Sequence, residues 1–177
     1  MSVYMIKRIT KDGLLLCLLI ISGILSIPFG DNVKISLQTF MLFLIFLLTD
    51  KLIDKITITI SYMLLGLFIP IYSGLSSGIS PTFGFIIGFI LSSISFHLLM
   101  KINISNNIIK ILLATLLSLL IIYISGTIFM MIYLSTSFIN ALLIGVVPYI
   151  LIDLAKIGLI ILITETNKKT FNILSNN

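Results

Sequence analysis

Two side chains stand apart in the last apolar stretch of the chain. Between Ile111 and Ile163 the only charged residues are Asp153 and Lys156. They are three positions apart, so on a helix they share a face. Proline is favoured at the first helical position, where its missing N–H has no partner to lose. The sequence therefore predicts a last helix starting near Pro148, with Asp153 and Lys156 about 8 and 12 Å along it. That depth lies inside a membrane, where a central charge costs at least about 2.5–3.5 kcal/mol. Such residues pair, line a polar cavity, or do both. The carboxylate offers a ligand an acceptor and the ammonium three donors. The same spacing also suits an ion pair that only fixes helix packing.

Composition places the pair in a bilayer. The 177 residues are 59% hydrophobic and 10% charged, with mean hydropathy +1.26. Soluble domains carry about 25% charged residues. The chain reads as an all-α integral membrane protein, a single domain over residues 1–177. Its charge of +5 comes from basic residues at the ends of apolar runs, which is not a nucleic-acid footprint. A lone cysteine, Cys17, excludes an internal disulfide, and a lone histidine, His97, excludes a multi-histidine metal site. No cofactor or metal is expected.

The elements that must carry the pair follow from the apolar runs. Lys7, Arg8 and Lys11 precede a run over residues 14–27. No Ala-x-Ala-like cleavage site follows, so the run reads as a retained first transmembrane helix. A turn at Gly30-Asp31-Asn32 leads to a second span over 33–48, and a polar link over 49–55 to a third over 56–72. Residues 73–81 form a Gly/Ser loop. The fourth span covers 82–100 and the fifth 108–125. Residues 126–147 read as a seventh span or as a connector over the outer end. Cytoplasmic loops hold the excess of Lys and Arg. With six spans and the N-terminus inside, Lys7, Arg8, Lys11, Lys51, Lys55, Lys101, Lys110, Lys168 and Lys169 fall inside. Only Lys34 falls outside. A seventh full span would reverse Lys168 and Lys169, so six transmembrane helices with both termini cytoplasmic are expected.

In that topology Gln38, the Gly/Ser loop, Asp153 and Lys156 all fall toward the outer half. Irregular backbone at membrane depth needs protein or a cavity around it. Gly74, Gly78, Pro81 and Gly84 allow close approach of a ligand. An apolar cavity with a few placed polar groups describes a small-molecule site, here a membrane-embedded pocket toward the outer side. A flexible connector and an interfacial Gln38 would fit the same residues. An enzyme fits worse. Gly74-Leu75-Ser76-Ser77-Gly78 matches a nucleophile-elbow pattern, which requires a strand-to-helix turn. His97 would lie about 25–30 Å from Ser76 along the helix, and proton transfer needs about 3 Å. No catalytic residue is assigned. No phosphate-binding loop of the Gly-x-x-x-x-Gly-Lys-Ser/Thr type is present, so the chain cannot itself use ATP.

Four ordered stretches resemble the BioY family, the biotin-specific S components of energy-coupling factor (ECF) vitamin transporters. They are Ser26-Ile27-Pro28-Phe29-Gly30 with Ile35-Ser36-Leu37-Gln38-Thr39; Leu65-Gly66-Leu67-Phe68-Ile69-Pro70-Ile71-Tyr72 with Pro81-Thr82-Phe83-Gly84-Phe85; Tyr123-Ile124-Ser125-Gly126; and Gly145-Val146-Val147-Pro148-Tyr149 with Asp153-Leu154-Ala155-Lys156. The chain departs from the family's pattern at Lys34, Phe83, Phe85 and Ile152. The resemblance implies capture of biotin at the outer face of a bacterial plasma membrane. It implies a site of Gln38, Tyr72, Gly74, Ser77, Phe85, Asp153 and Lys156. The carboxylate and ammonium would meet the ureido group, and Tyr72 and Phe85 would cover the apolar ring. No residue is assigned to the biotin carboxylate. It also implies a transmembrane scaffold subunit and two ATP-binding-cassette ATPase subunits as partners, beside membrane lipid. Gly13 and Cys17 on the first helix are the candidate scaffold contact, since small residues four apart let helices approach. An S component or stand-alone carrier for another small vitamin-like solute is the alternative.

Overall fold

A computed structural model describes residues 3–29 and 33–166. The first helix, α1, runs Val3–Ile24. Two short strands follow, β1 (Ser26–Phe29) and β2 (Val33–Ser36). Then come α2 (Gln38–Leu48), α3 (Leu52–Phe68), α4 (Phe83–Met100) and α5 (Asn107–Tyr133). The chain closes with α6 (Phe138–Gly145), a 3-10 turn over Val147–Tyr149, and α7 (Ile150–Thr166). By length and composition, α4, α5 and the run Phe138–Thr166 are each sufficient to cross a membrane. With α1, α2 and α3 they make a six-helix, multi-pass membrane bundle.

The apolar runs put the first helix over residues 14–27 and the second over 33–48. Instead α1 begins at Val3, so Lys7, Arg8 and Lys11 sit on its early turns. It stops at Ile24, and β1 pairs antiparallel with β2, Ser26 opposite Ser36 and Ile27 opposite Ile35. Pro28 accounts for the change. It removes a helical N–H and pushes the residue before it to extended backbone. The hairpin pairs backbone groups that an irregular turn would leave open. It leaves α2 only 11 residues long, about 16 Å against a hydrocarbon core of about 30 Å. The turn at Gly30-Asp31-Asn32, the Lys34 side chain, and Lys168 and Lys169 lie outside the described residues.

The sequence predicts a fifth span that ends at Ser125. Instead α5 continues through Gly126 to Tyr133. Gly126 serves packing here: a Cβ at this position would overlap the Phe85 ring. Ser135 ends the run with left-handed backbone, φ 50°, and Ser137 caps α6 by accepting from the Asn140 N–H at 3.3 Å. Residues 126–147 are thus the end of α5 plus a short helix, and no seventh span.

Small residues bring α4 and α5 together. A Cβ on Gly88 would stand 2.8 Å from Ile122 Cα. Ser125 Oγ donates to Gly84 O at 2.8 Å and Ser118 Oγ to Ser92 O at 3.3 Å. Ile122 is buried against α4. Tyr123, one residue and about 100° onward, is turned to a different neighbour, α7.

At the opposite end the basic residues are tied down. Arg8 Nε donates to Asp54 Oδ1 at 2.7 Å and Lys11 Nζ to Leu48 O at 2.6 Å. Lys55 Nζ donates to Thr49 O. Lys51 stands over the Tyr4 ring, 5.5 Å from its centroid. These contacts join α1 to the α2–α3 link and gather the positive charge at one end of the bundle.

Candidate ligand-binding site

The helix carrying Asp153 and Lys156 starts as its proline suggests. Pro148 lies in the 3-10 turn that leads directly into α7. Both side chains are buried, Asp153 at 5% and Lys156 at 8% exposure, so both charges need partners. Lys156 Nζ meets Asp153 Oδ1 at 2.8 Å. Thr39 Oγ1, on the first turn of α2, donates to the same oxygen at 2.7 Å. Thr39 Oγ1 also accepts from Lys156 Nζ at 2.9 Å. Tyr123 OH, on α5, donates to Asp153 Oδ2 at 2.7 Å. Three helices thus converge on one carboxylate, and the opposite charge sits beside it.

Gln38, the residue before Thr39, turns to the other side of α2. Its Oε1 accepts from Ser36 Oγ at 3.0 Å, and its Nε2 donates to Tyr62 OH. Tyr62 OH donates in turn to Ile71 O at 3.1 Å. Gly23 closes this group, since a Cβ there would stand 2.6 Å from Ile71 O and 2.9 Å from Gln38 Nε2. One turn of α2 therefore joins two polar groups, one against α1 and α3, the other against α5 and α7.

The loop after α3 is folded back on that helix. Tyr72 N donates to Ser76 O at 3.0 Å, and Gly78 N to Gly66 O at 2.9 Å. Gly74, Leu75 and Gly78 take positive φ, which only glycine adopts without strain. The Tyr72 hydroxyl donates to Met63 O at 2.6 Å. Its ring fills the space above Gly66, where a Cβ would overlap it. Tyr72 packs on Tyr62 with centroids 5.5 Å apart and on Phe83 at 6.4 Å.

The structure brings Asp153 and Lys156 into direct contact and sets Gln38 one residue from their Thr39 partner. Tyr72 reaches Gln38 through Tyr62. Gly74 and Ser77 belong to the folded-back loop, with Ser77 exposed. Phe85 lies between α5 and α6, its ring over Gly126 and 3.2 Å from where a Gly145 Cβ would be. Thr39, Tyr62 and Tyr123 join these residues although the sequence does not mark them. The sequence offers no periodic signal for them, because their roles depend on which helices are neighbours. Gly13 and Cys17 are exposed on α1, and a Cβ on Gly13 would meet nothing within 4 Å. Among the described residues no group of three or more His, Cys, Asp or Glu is placed to hold a metal ion.

Residues 1–173 match the family model described as BioY family. A solved structure described as the S-component for biotin from an ECF-type ABC transporter covers 96% of this chain, with 95% of its own length matched. The two share 24% sequence identity, with a TM-score of 0.79, so the bundle described above is the fold of that protein. No curated protein matches the chain.

Proposed function

The chain belongs to the BioY family, and from that premise we propose that it captures biotin at the outer face of the cell membrane as the S component of an ECF-type transporter. The observation that carries this reading is the unspent hydrogen-bonding capacity of the buried pair. A carboxylate has about four acceptor sites and an ammonium three donors. Among the described residues, Thr39, Lys156 and Tyr123 use three sites on Asp153, and Asp153 and Thr39 use two donors of Lys156. One acceptor, on Asp153 Oδ2, and one donor, on Lys156 Nζ, remain. A cyclic urea presents the complement, an N–H beside a carbonyl. Such charge-assisted bonds are roughly twice as strong as neutral ones.

Gln38 and Tyr72, on the other side of α2, hold that helix and the loop in place. Phe85 covers the apolar ring. Gly74 and Ser77 belong to the loop that closes the outer side, and the positive φ at Gly74 keeps that backbone compact. The basic end of the bundle, held by Arg8, Lys11, Lys51 and Lys55, faces the cytoplasm in keeping with the charge bias of cytoplasmic loops. In this reading both termini are inside. Because the sequence has no phosphate-binding loop, energy comes from separate ATPase subunits through a scaffold subunit that meets α1 at Gly13 and Cys17.

Calorimetry on the purified protein tests the reading. Biotin should bind saturably, and Asp153→Asn should weaken it by about 1–3 kcal/mol, the value of one charged hydrogen bond. Saturable binding of a vitamin without a ureido ring, with no binding of biotin, would overturn it.

A further inference from the structure

We propose that Tyr123 is a positioning residue for ligand recognition, setting the plane of the Asp153 carboxylate. The inference rests on the biotin reading above. Thr39 and Lys156 both meet Asp153 at Oδ1. Turning about the terminal torsion, which is broad and two-fold, moves both oxygens, so these two bonds restrain the carboxylate from one arm only. Among the described residues, Tyr123 is the donor to Oδ2, at 2.7 Å. A second anchor on the other arm narrows the plane further. Acceptor lone pairs lie near that plane, so fixing it aims the remaining site at a planar N–H.

The anchor itself is rigid. Tyr123 stands on α5 beside Ile122, and Ile122 is buried where a Gly88 Cβ would come within 2.8 Å. Ser125 Oγ, two residues on, is bonded to Gly84 O. The tight α4–α5 contact therefore fixes the hydroxyl from one side, while α2 and α7 hold Oδ1 from the other. The Tyr123 ring oxygen need not touch the ligand; it acts through Asp153.

A chemical cycle separates positioning from packing. Wild type, Tyr123→Phe and Asp153→Asn are each titrated with biotin and with biotin methylated on a ureido nitrogen, alongside melting curves without ligand. Tyr123→Phe keeps the ring and removes one oxygen. It should weaken biotin about tenfold, the loss of roughly one hydrogen bond to a charged group. The penalty for N-methylation should shrink severalfold in the same variant, because the bond it breaks is already misaligned. A variant that binds biotin as wild type does, or that weakens both ligands by the same factor, would overturn the proposal. If Asp153→Asn erases the methylation penalty while Tyr123→Phe leaves it whole, the biotin site stands and the positioning role falls. Wild-type protein that ignores both ligands strikes the biotin reading itself.

Discussion

Removing the two charges of the buried pair singly and together should separate their structural cost from their use. Among the described residues, Lys156→Met leaves the Asp153 carboxylate with the Thr39 and Tyr123 hydroxyls as donors. Asp153→Asn leaves the Lys156 ammonium with Thr39 and a neutral amide oxygen. Either way one charge stays unpaired in an apolar interior. Membrane insertion puts that at about 2.5–3.5 kcal/mol, and buried pairs in soluble proteins at about 3–5 kcal/mol. Each single variant should therefore lose about 3 kcal/mol. The double variant leaves no charge. It forfeits only the two hydrogen bonds from Lys156, each worth about 0.6 kcal/mol by interhelical measurements in membranes. Its loss should be near 1 kcal/mol, against about 6 if the two changes added. Denaturant titration in mixed micelles reads this coupling, and calorimetry with biotin reads binding. The double variant should be the more stable protein yet bind biotin no better than either single one. A double variant destabilised by the full sum would show that the two residues do not act as an ion pair. A double variant that binds biotin like wild type would reduce the pair to a structural bridge.

Three further outcomes are expected. Gly66→Ala should displace the Tyr72 ring from its seat and break its bond to Met63 O, costing about 1–3 kcal/mol by overpacking and weakening biotin binding; a variant with unchanged melting and affinity would refute that seat. Gly13→Trp should weaken assembly with the scaffold and ATPase subunits on co-purification while leaving biotin affinity intact, because the site above Gly13 is open; loss of biotin binding with normal assembly would move the contact elsewhere. In a Cys17→Ser background, a cysteine at Ser77 should label from outside and one at Ser105 from inside, both positions being exposed. Ser105 is preferred to its neighbour Asn106, whose side chain caps α5 by accepting from Ile108 N and Ile109 N. The opposite labelling pattern would invert the topology.

The long apolar runs made α4, α5 and α7 legible, because length and hydropathy alone mark a span. The acid–base pair was legible for the same reason, standing alone in such a run. What the sequence concealed depends on contacts between distant segments. Gly126 reads as a helix end but is a seat for Phe85, which lies 41 residues earlier in the chain and on another helix. Thr39 carries no periodic signature, since a threonine hydroxyl in an apolar run is equally at home bonding its own backbone, as Thr115 does to Ile111 O, and Tyr123 reads as one more aromatic of that run. Ser26 to Ser36 reads as the end of one helix, a turn and the start of the next, because short β-branched segments fit either state.

These concealed features are physically linked. The hairpin ends α1 at Ile24 and delays α2 until Gln38. Leu37 N, at that junction, donates to Ser22 O at 3.2 Å and ties the start of α2 to α1. Gln38 then locks onto Tyr62, and Thr39 is carried around α2 to Asp153 and Lys156. Had α2 continued outward as a full-length span, its first turn would lie well beyond Thr39. The threonine hydroxyl would then be free to bond a carbonyl one turn back, as helical threonines do. Because Thr39 sits in the first turn, no preceding helical carbonyl is there to accept its proton, and the hydroxyl is left for Asp153. The proline that shortens the helix is thus one of the residues that builds the site, although it lies outside the polar network itself.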